Sequence, residues 1–205
     1  MRATLALLEK VTLCPSEICP ADLDAIQRAG VGVREIVDAT YVCVGFNIIA
    51  RIADALGFKV PSDELFLRAA RLLRVFGYRR LSGFWISESS NSRMDTERTL
   101  DTDPYVNKME RLRRAVVSGP GSLAPNIRQA ICEGAYNSSP LGAFAQKVAE
   151  HAFTVNDDDI RELHRARYSD DQIFEAAVCA AVGAGLYRLE CVLTVLRAAV
   201  TNAHE

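Results

Sequence analysis

Residues 6–56 read ALLEKVTLCPSEICPADLDAIQRAGVGVREIVDATYVCVGFNIIARIADAL, and residues 143–193 read AFAQKVAEHAFTVNDDDIRELHRARYSDDQIFEAAVCAAVGAGLYRLECVL. Laid residue 6 on residue 143, a shift of 137, the two align without a gap. Lys10 meets Lys147, Val11 meets Val148, and Asp22 meets Asp159. Arg28-Ala29 meets Arg165-Ala166, Ile36 meets Ile173, Ala39 meets Ala176, and Arg51 meets Arg188. Internal similarity at a fixed spacing marks a repeated structural unit. The unit reads as a short helix, a loop, a capped helix, a turn and a long apolar helix.

Working outward, apolar spacing is helical almost throughout, and alternating β-branched runs are nearly absent. Helices are expected at 2–12, 20–29, 33–57, 63–76, 105–117, 124–135, 140–152, 157–166 and 170–200. Pro20 and Pro140 suit first helical positions, where the missing N–H costs nothing, and Ser139 suits a cap. Asn156 followed by Asp157, Asp158 and Asp159 caps a helix and complements its positive end. Gly30, Gly57 and Gly77 each fall where a helix should stop. The expected fold is all-α, one domain over 1–205, with repeat unit A at 5–57, a variable helical middle at 58–138 and repeat unit B at 139–200.

The long helix of unit A is apolar nearly all round: Val37, Tyr41, Val44, Ile48 and Ile52 on one face, Val42, Phe46 and Ile49 on another. Such a helix should be covered on several sides, at a domain or oligomer centre. The aligned arginines then need partners. Arg51 should pair with Asp54 or Glu175, and Arg188 with Glu190 or Asp38. In the middle, 86–104 is polar and rich in Ser, Thr and Asp, as an exposed loop would be. Arg68, Arg71, Arg74, Arg79 and Arg80 make either an anion site or a solvated helix face, the second being the ordinary reading of mixed charge.

Composition narrows the rest. With 205 residues, 49% hydrophobic and 24% charged, the chain can build a real core, and a net charge of −2 offers nothing global to nucleic acid or an anionic membrane. No unbroken apolar run of about 18 residues is present, so no bilayer-spanning segment is expected, and no secretory leader is evident. Six scattered cysteines are too few for a disulfide scaffold and favour a reducing, cytoplasmic setting. Cys43, Cys132, Cys179 and Cys191 sit among apolar neighbours and should pack as small hydrophobes. No zinc or calcium spacing, phosphate-cradling glycine loop or nucleophile elbow occurs, so no cofactor or metal is expected.

The segment DLDAIQRAGVGVREIVDATYVCVGFNIIARIADALGF resembles the corresponding part of the alkylhydroperoxidase D-like superfamily, which includes the carboxymuconolactone decarboxylases. RELHRARYSDDQIFEAAVCAAVGAGLYRLECVLTVLRAA is similar to the same part. The resemblance covers about half of the chain and implies an all-α fold that assembles through its apolar helices. It also implies, for some members, a thiol site of the form Glu-x-x-Cys-x-x-Cys-x-x-x-His. Here the histidine position falls on Asp22 and, in the second copy, Asp159. The cysteine positions fall on Pro15 and Ile18, and on Ala152 and Val155.

Cys14 and Cys19 each stand one residue out of step with that motif. On a helix, five residues apart, they would lie roughly 8 Å apart along the axis, too far for a disulfide. Pro15 and Pro20 instead argue for a turn that could bring them together. Cys19 precedes a helix start, which favours a thiolate, while Glu17, Asp22 and Asp24 oppose one. His151 aligns with Cys14, and a Cys–His pair is a nucleophile arrangement; the plain alternative is a histidine at a helix C-terminus, favoured by the dipole. His164 lies on a polar face and His204 at the chain end. Two functions are therefore expected in competition. One is an oligomeric scaffold or binding protein without the redox motif. The other is a peroxidase-like or decarboxylase-like enzyme using Cys14, Cys19 or His151.

Overall fold

A computed structural model describes residues 2–59, 62–82 and 104–202. Every regular element among them is helical. In order these are α1 (Arg2–Leu13), a 3-10 turn (Pro15–Glu17), α2 (Pro20–Arg28), α3 (Val33–Ala55), α4 (Asp63–Ser82), α5 (Pro104–Ser118), α6 (Pro125–Cys132), α7 (Pro140–His151), a second 3-10 turn (Ala152–Thr154), α8 (Asp157–Arg165) and α9 (Asp170–Asn202). The chain divides into two compact units, 1–57 with 100–205, and 58–99. Of the helices that fall in the stretch 58–138, α5 and α6 belong to the first unit.

Helix starts follow local chemistry. Prolines open α2, α5, α6 and α7, where a missing N–H is harmless. Ser139 Oγ accepts from the Gly142 N–H at 3.1 Å. Asn156 Oδ1 accepts from the N–H of Asp158 at 2.8 Å and of Asp159 at 3.3 Å, while Asp159 returns a bond to the Asn156 N–H at 2.8 Å. This reciprocal cap satisfies donors that a helix start otherwise leaves bare. Gly30 (φ 81°) and Gly57 (φ 62°) end helices in the left-handed region, as does Arg167 (φ 69°), 137 positions after Gly30. Gly77 does not stop α4, which runs on to Ser82.

The core of the first unit lies along α9, against which α3, α6 and α7 pack. Ala176, Ala177, Ala180 and Ala181 are fully buried, and small side chains let three helices approach one axis. At Gly185 a Cβ would stand 2.5 Å from Ile48 Cγ1, so α3 and α9 cross where only glycine fits. Leu23, Ile26, Ile36, Val44, Leu163 and Leu196 complete the interior; burying each such side chain is worth about 1.5–3 kcal/mol. Of the two expected faces of α3, the first is inside: Val37, Tyr41, Val44 and Ile48 are buried. The second is not. Val42, Phe46 and Ile49 are 60%, 69% and 63% exposed, because no helix of this unit lies over them. On α9 the corresponding Cys179 is 1% exposed.

Two helices, α3 and the Asp170–Ala199 stretch of α9, are long and apolar enough by length and composition to cross a bilayer, although most of the second is buried inside the protein. In the second unit, Arg68 Nη2 donates to Glu64 Oε1 at 2.8 Å with both side chains exposed, and Arg71 and Arg74 are exposed too. That basic stretch is a solvated face; the side chains of Arg79 and Arg80, residues 83–103 of the expected loop, and His204 lie outside the described residues.

Candidate functional site

The junction that carries Cys14 and Cys19 is built around a carboxylate. The Cys14 N–H closes α1 by donating to the Lys10 carbonyl at 2.8 Å. Cys19 is extended (φ −136°, ψ 167°) and precedes Pro20. Asp22 Oδ2 accepts from the Cys19 N–H at 2.9 Å, from Cys19 Sγ at 3.4 Å and from Lys10 Nζ at 2.8 Å. Burial lifts the Asp22 pKa, but bonds from Lys10, the Cys19 N–H and the thiol outweigh it, so the carboxyl sits below its ordinary value. The Cys19 thiol thus shares with its own backbone N–H and with Lys10 a single acceptor, Asp22 Oδ2. Both cysteines are free. The other junction repeats the ion pair without a cysteine: Lys147 Nζ donates to Asp159 Oδ2 at 2.6 Å.

His151 is the last residue of α7 and is exposed; its carbonyl accepts from Thr154 Oγ1 at 2.7 Å and its ring meets Phe153 edge-on at 6.2 Å. The ring lines a cavity of about 470 Å³ together with Leu13 and Pro15, the two neighbours of Cys14. Cys14 itself is not among the cavity's walls, and Cys19 is exposed on the helix cap. No bond among the described residues joins either thiol to His151.

The cavity floor carries the feature that sequence reasoning half-found. Arg188 is 8% exposed. Its Nε and Nη2 donate to the Thr12 carbonyl at 3.3 Å each, and its Nη1 donates to the Ala184 carbonyl at 2.8 Å. Arg51, half-buried, donates from Nε to the Ala149 carbonyl at 3.1 Å and from Nη1 to Asn47 Oδ1 at 2.8 Å and the Asn47 carbonyl at 3.2 Å. Thr12 and Ala149 stand in the last turns of α1 and α7, whose carbonyls have no helical partner and carry the negative end of the helix dipole. The expected carboxylate partners are therefore corrected: the helix ends serve instead. Glu175 accepts from the backbone N–H of Ser122 and Leu123, Glu190 accepts from Arg197, and Asp38 is exposed. Asp54 is also exposed and contributes only a distant attraction to Arg51.

Without a bonded acid, both guanidiniums feel their burial. Burial first, and the Arg188 charge second, push Arg51 down to about 10; burial pushes Arg188 down as well. Tyr136, half-buried on the cavity wall, is pushed up to about 12 by burial first and by the Glu150 charge next, so its hydroxyl remains a donor at neutral pH. Exposed Glu133 and Glu150 stand at the rim, the first paired to Arg113 at 3.4 Å and Gln129 at 2.9 Å, the second to Gln146 at 3.1 Å. A second cavity of about 400 Å³ shares the Cys132, Gly183 and Tyr187 wall and opens toward α5.

The arrangement can hold a ligand against fixed donors, while Cys19 meets the Asp22 carboxylate outside the cavity. The alignment of Arg51 with Arg188 signalled this site in the sequence, whereas Tyr136 lies in the variable middle and carried no signal. Among the described residues no group of three or more His, Cys, Asp or Glu is placed to hold a metal ion. No family model, no curated protein and no solved structure matches the chain.

Proposed function

We propose that the chain is a divergent relative of the alkylhydroperoxidase D-like proteins, built from two copies of one helical unit, that works by binding rather than by thiol redox chemistry. The observation that carries the reading is the Cys19 thiol donating to Asp22 inside a helix cap. The two-copy reading is supported by features 137 residues apart: Lys10–Asp22 with Lys147–Asp159, and Arg51 on Ala149 with Arg188 on Thr12. Assembly into a homo-oligomer is supported by the exposed Val42, Phe46 and Ile49, an apolar patch of the kind that marks interfaces, and a cytoplasmic setting by six unpaired cysteines. Peroxide consumption by the wild type, Cys14→Ser and Cys19→Ser, each with a dithiol reductant, tests the first claim. The expected result is negligible and equal turnover in all three. Wild-type turnover that either serine abolishes would favour the peroxidase-like reading instead. For the second claim, Phe46→Glu should reduce the mass measured by light scattering.

A further inference from the structure

We propose, building on that binding reading, that the cavity between the ends of α1, α6 and α7 and the middle of α9 binds a small organic monocarboxylate, with Arg188 as its charge partner.

The floor supplies the charge. Arg188 is more than nine-tenths buried and forms part of the cavity wall. Its bonds go to two backbone carbonyls, Thr12 and Ala184, and a guanidinium has more N–H donors than these three bonds use. A buried cation with only carbonyl partners leaves a costly charge uncompensated. Arg51, close enough to lower its own proton affinity through the Arg188 charge, adds a second positive centre to the same end of the bundle. A carboxylate seated on the floor would take up the free donors and cancel part of both charges. Such charge-assisted bonds are about twice as strong as neutral ones.

The walls and rim shape the rest of the ligand. Leu13, Pro15, Ala149, Ala184 and the Tyr187 ring offer apolar contact, and about 470 Å³ falls in the range of small-molecule sites. Tyr136, kept protonated, can donate to the second carboxylate oxygen or to a polar group above it. Glu133 and Glu150 at the rim repel a second negative charge on the ligand's outer end. The site therefore selects one carboxylate, on an uncharged or cationic body, over a dicarboxylate.

Calorimetric titration and amide chemical-shift mapping test this with 3-phenylpropanoate and octanoate, against 3-phenylpropanamide and 3-(4-carboxyphenyl)propanoate. For the wild type, at least one monocarboxylate should bind about tenfold or more tighter than the amide, shifting the amides of His151, Ala184 and Arg188. The dicarboxylate should bind several-fold more weakly than 3-phenylpropanoate. Arg188→Gln should remove the acid-over-amide preference, its fold being checked by circular dichroism. Glu150→Gln, an exposed change that leaves the floor intact, should narrow the gap between mono- and dicarboxylate. Amide binding as tight as acid, a dicarboxylate that binds best, or no shift at the cavity residues would each overturn the proposal. Peroxide assay of the same sample separates the two levels: with no turnover, only the ligand class falls, whereas cysteine-dependent turnover removes the binding reading beneath it.

Discussion

Replacing Arg51 and Arg188 singly and together by methionine isolates the field the two guanidiniums share. Methionine keeps much of the apolar stem and removes the charge. Arg51 and Arg188 make three hydrogen bonds each: one guanidinium spans the Ala149 carbonyl at the end of α7 and both oxygens of Asn47, the other the Thr12 carbonyl at the end of α1, twice, and the Ala184 carbonyl inside α9. Losing one charged cap, with helix carbonyls left bare, costs about 2 kcal/mol. Each single change also relieves the repulsion of the other arginine, worth about 0.7 kcal/mol for a partly hydrated pair. The singles should then cost about 1.3 kcal/mol each, summing to about 2.6, while the double costs about 3.3. The double mutant is thus worse than the sum, by the repulsion that only one single is needed to relieve. Urea unfolding followed by far-UV circular dichroism at low salt measures all four corners of the cycle, and the excess should shrink in high salt. An additive double mutant, or one less damaged than the sum, would refute the claim that the two charges oppose one another.

Asp22 has a folded-state pKa below its unfolded value, so its contribution is present above about pH 4 and is lost as pH falls through the folded value. The stability difference between wild type and Asp22→Asn should accordingly shrink on acidification below pH 4; a difference that grows would contradict the assignment. Thiol labelling at mild alkaline pH should modify exposed Cys19 first and spare Cys132 and Cys179, which burial raises, the latter to about 12; peptide mass spectrometry reads the order, and early labelling of Cys179 would refute it. Gly121→Ala should destabilise by about 1–3 kcal/mol, because its Cβ would stand 2.8 Å from both Arg128 Nη1 and Glu175 Oε2; an unchanged urea midpoint would show that those side chains move aside freely.

The helices were legible because their signals are local. Pro20, Ser139, Asn156 and Gly30 act within a few residues of themselves, so spacing alone locates the helix ends they mark. Gly77 misled because a single glycine costs a helix only about 1 kcal/mol against alanine, and the twenty residues of α4 carry it. The exposed stripe of Val42, Phe46 and Ile49 was unreadable for a different reason: apolar character says that a face wants cover, not whether its own chain supplies it. The arginine pair was legible as a pair but not in its partners. Sequence displays carboxylates as letters, whereas the unsatisfied carbonyls at the ends of α1 and α7 belong to the backbone and have none. The cavity followed from that same blind spot, since its floor is the cap of one helix and its wall includes Tyr136, from a stretch without periodic signal.

The crossed caps also bear on how this chain must be assembled in time. Arg51 reaches a carbonyl 98 residues later, and Arg188 one 176 residues earlier. Neither bond can form until the C-terminal helices exist, so a nascent chain holding only α1 to α3 leaves Arg51 without the α7 end and Thr12 without its guanidinium. Contacts of such long sequence separation slow folding through the entropy of closing the intervening loop. They also tie α3 directly to the end of α7, and α9 to the end of α1. Cutting the backbone within residues 83–103 should therefore leave two pieces that find one another in solution, joined by two arginines reaching in opposite directions.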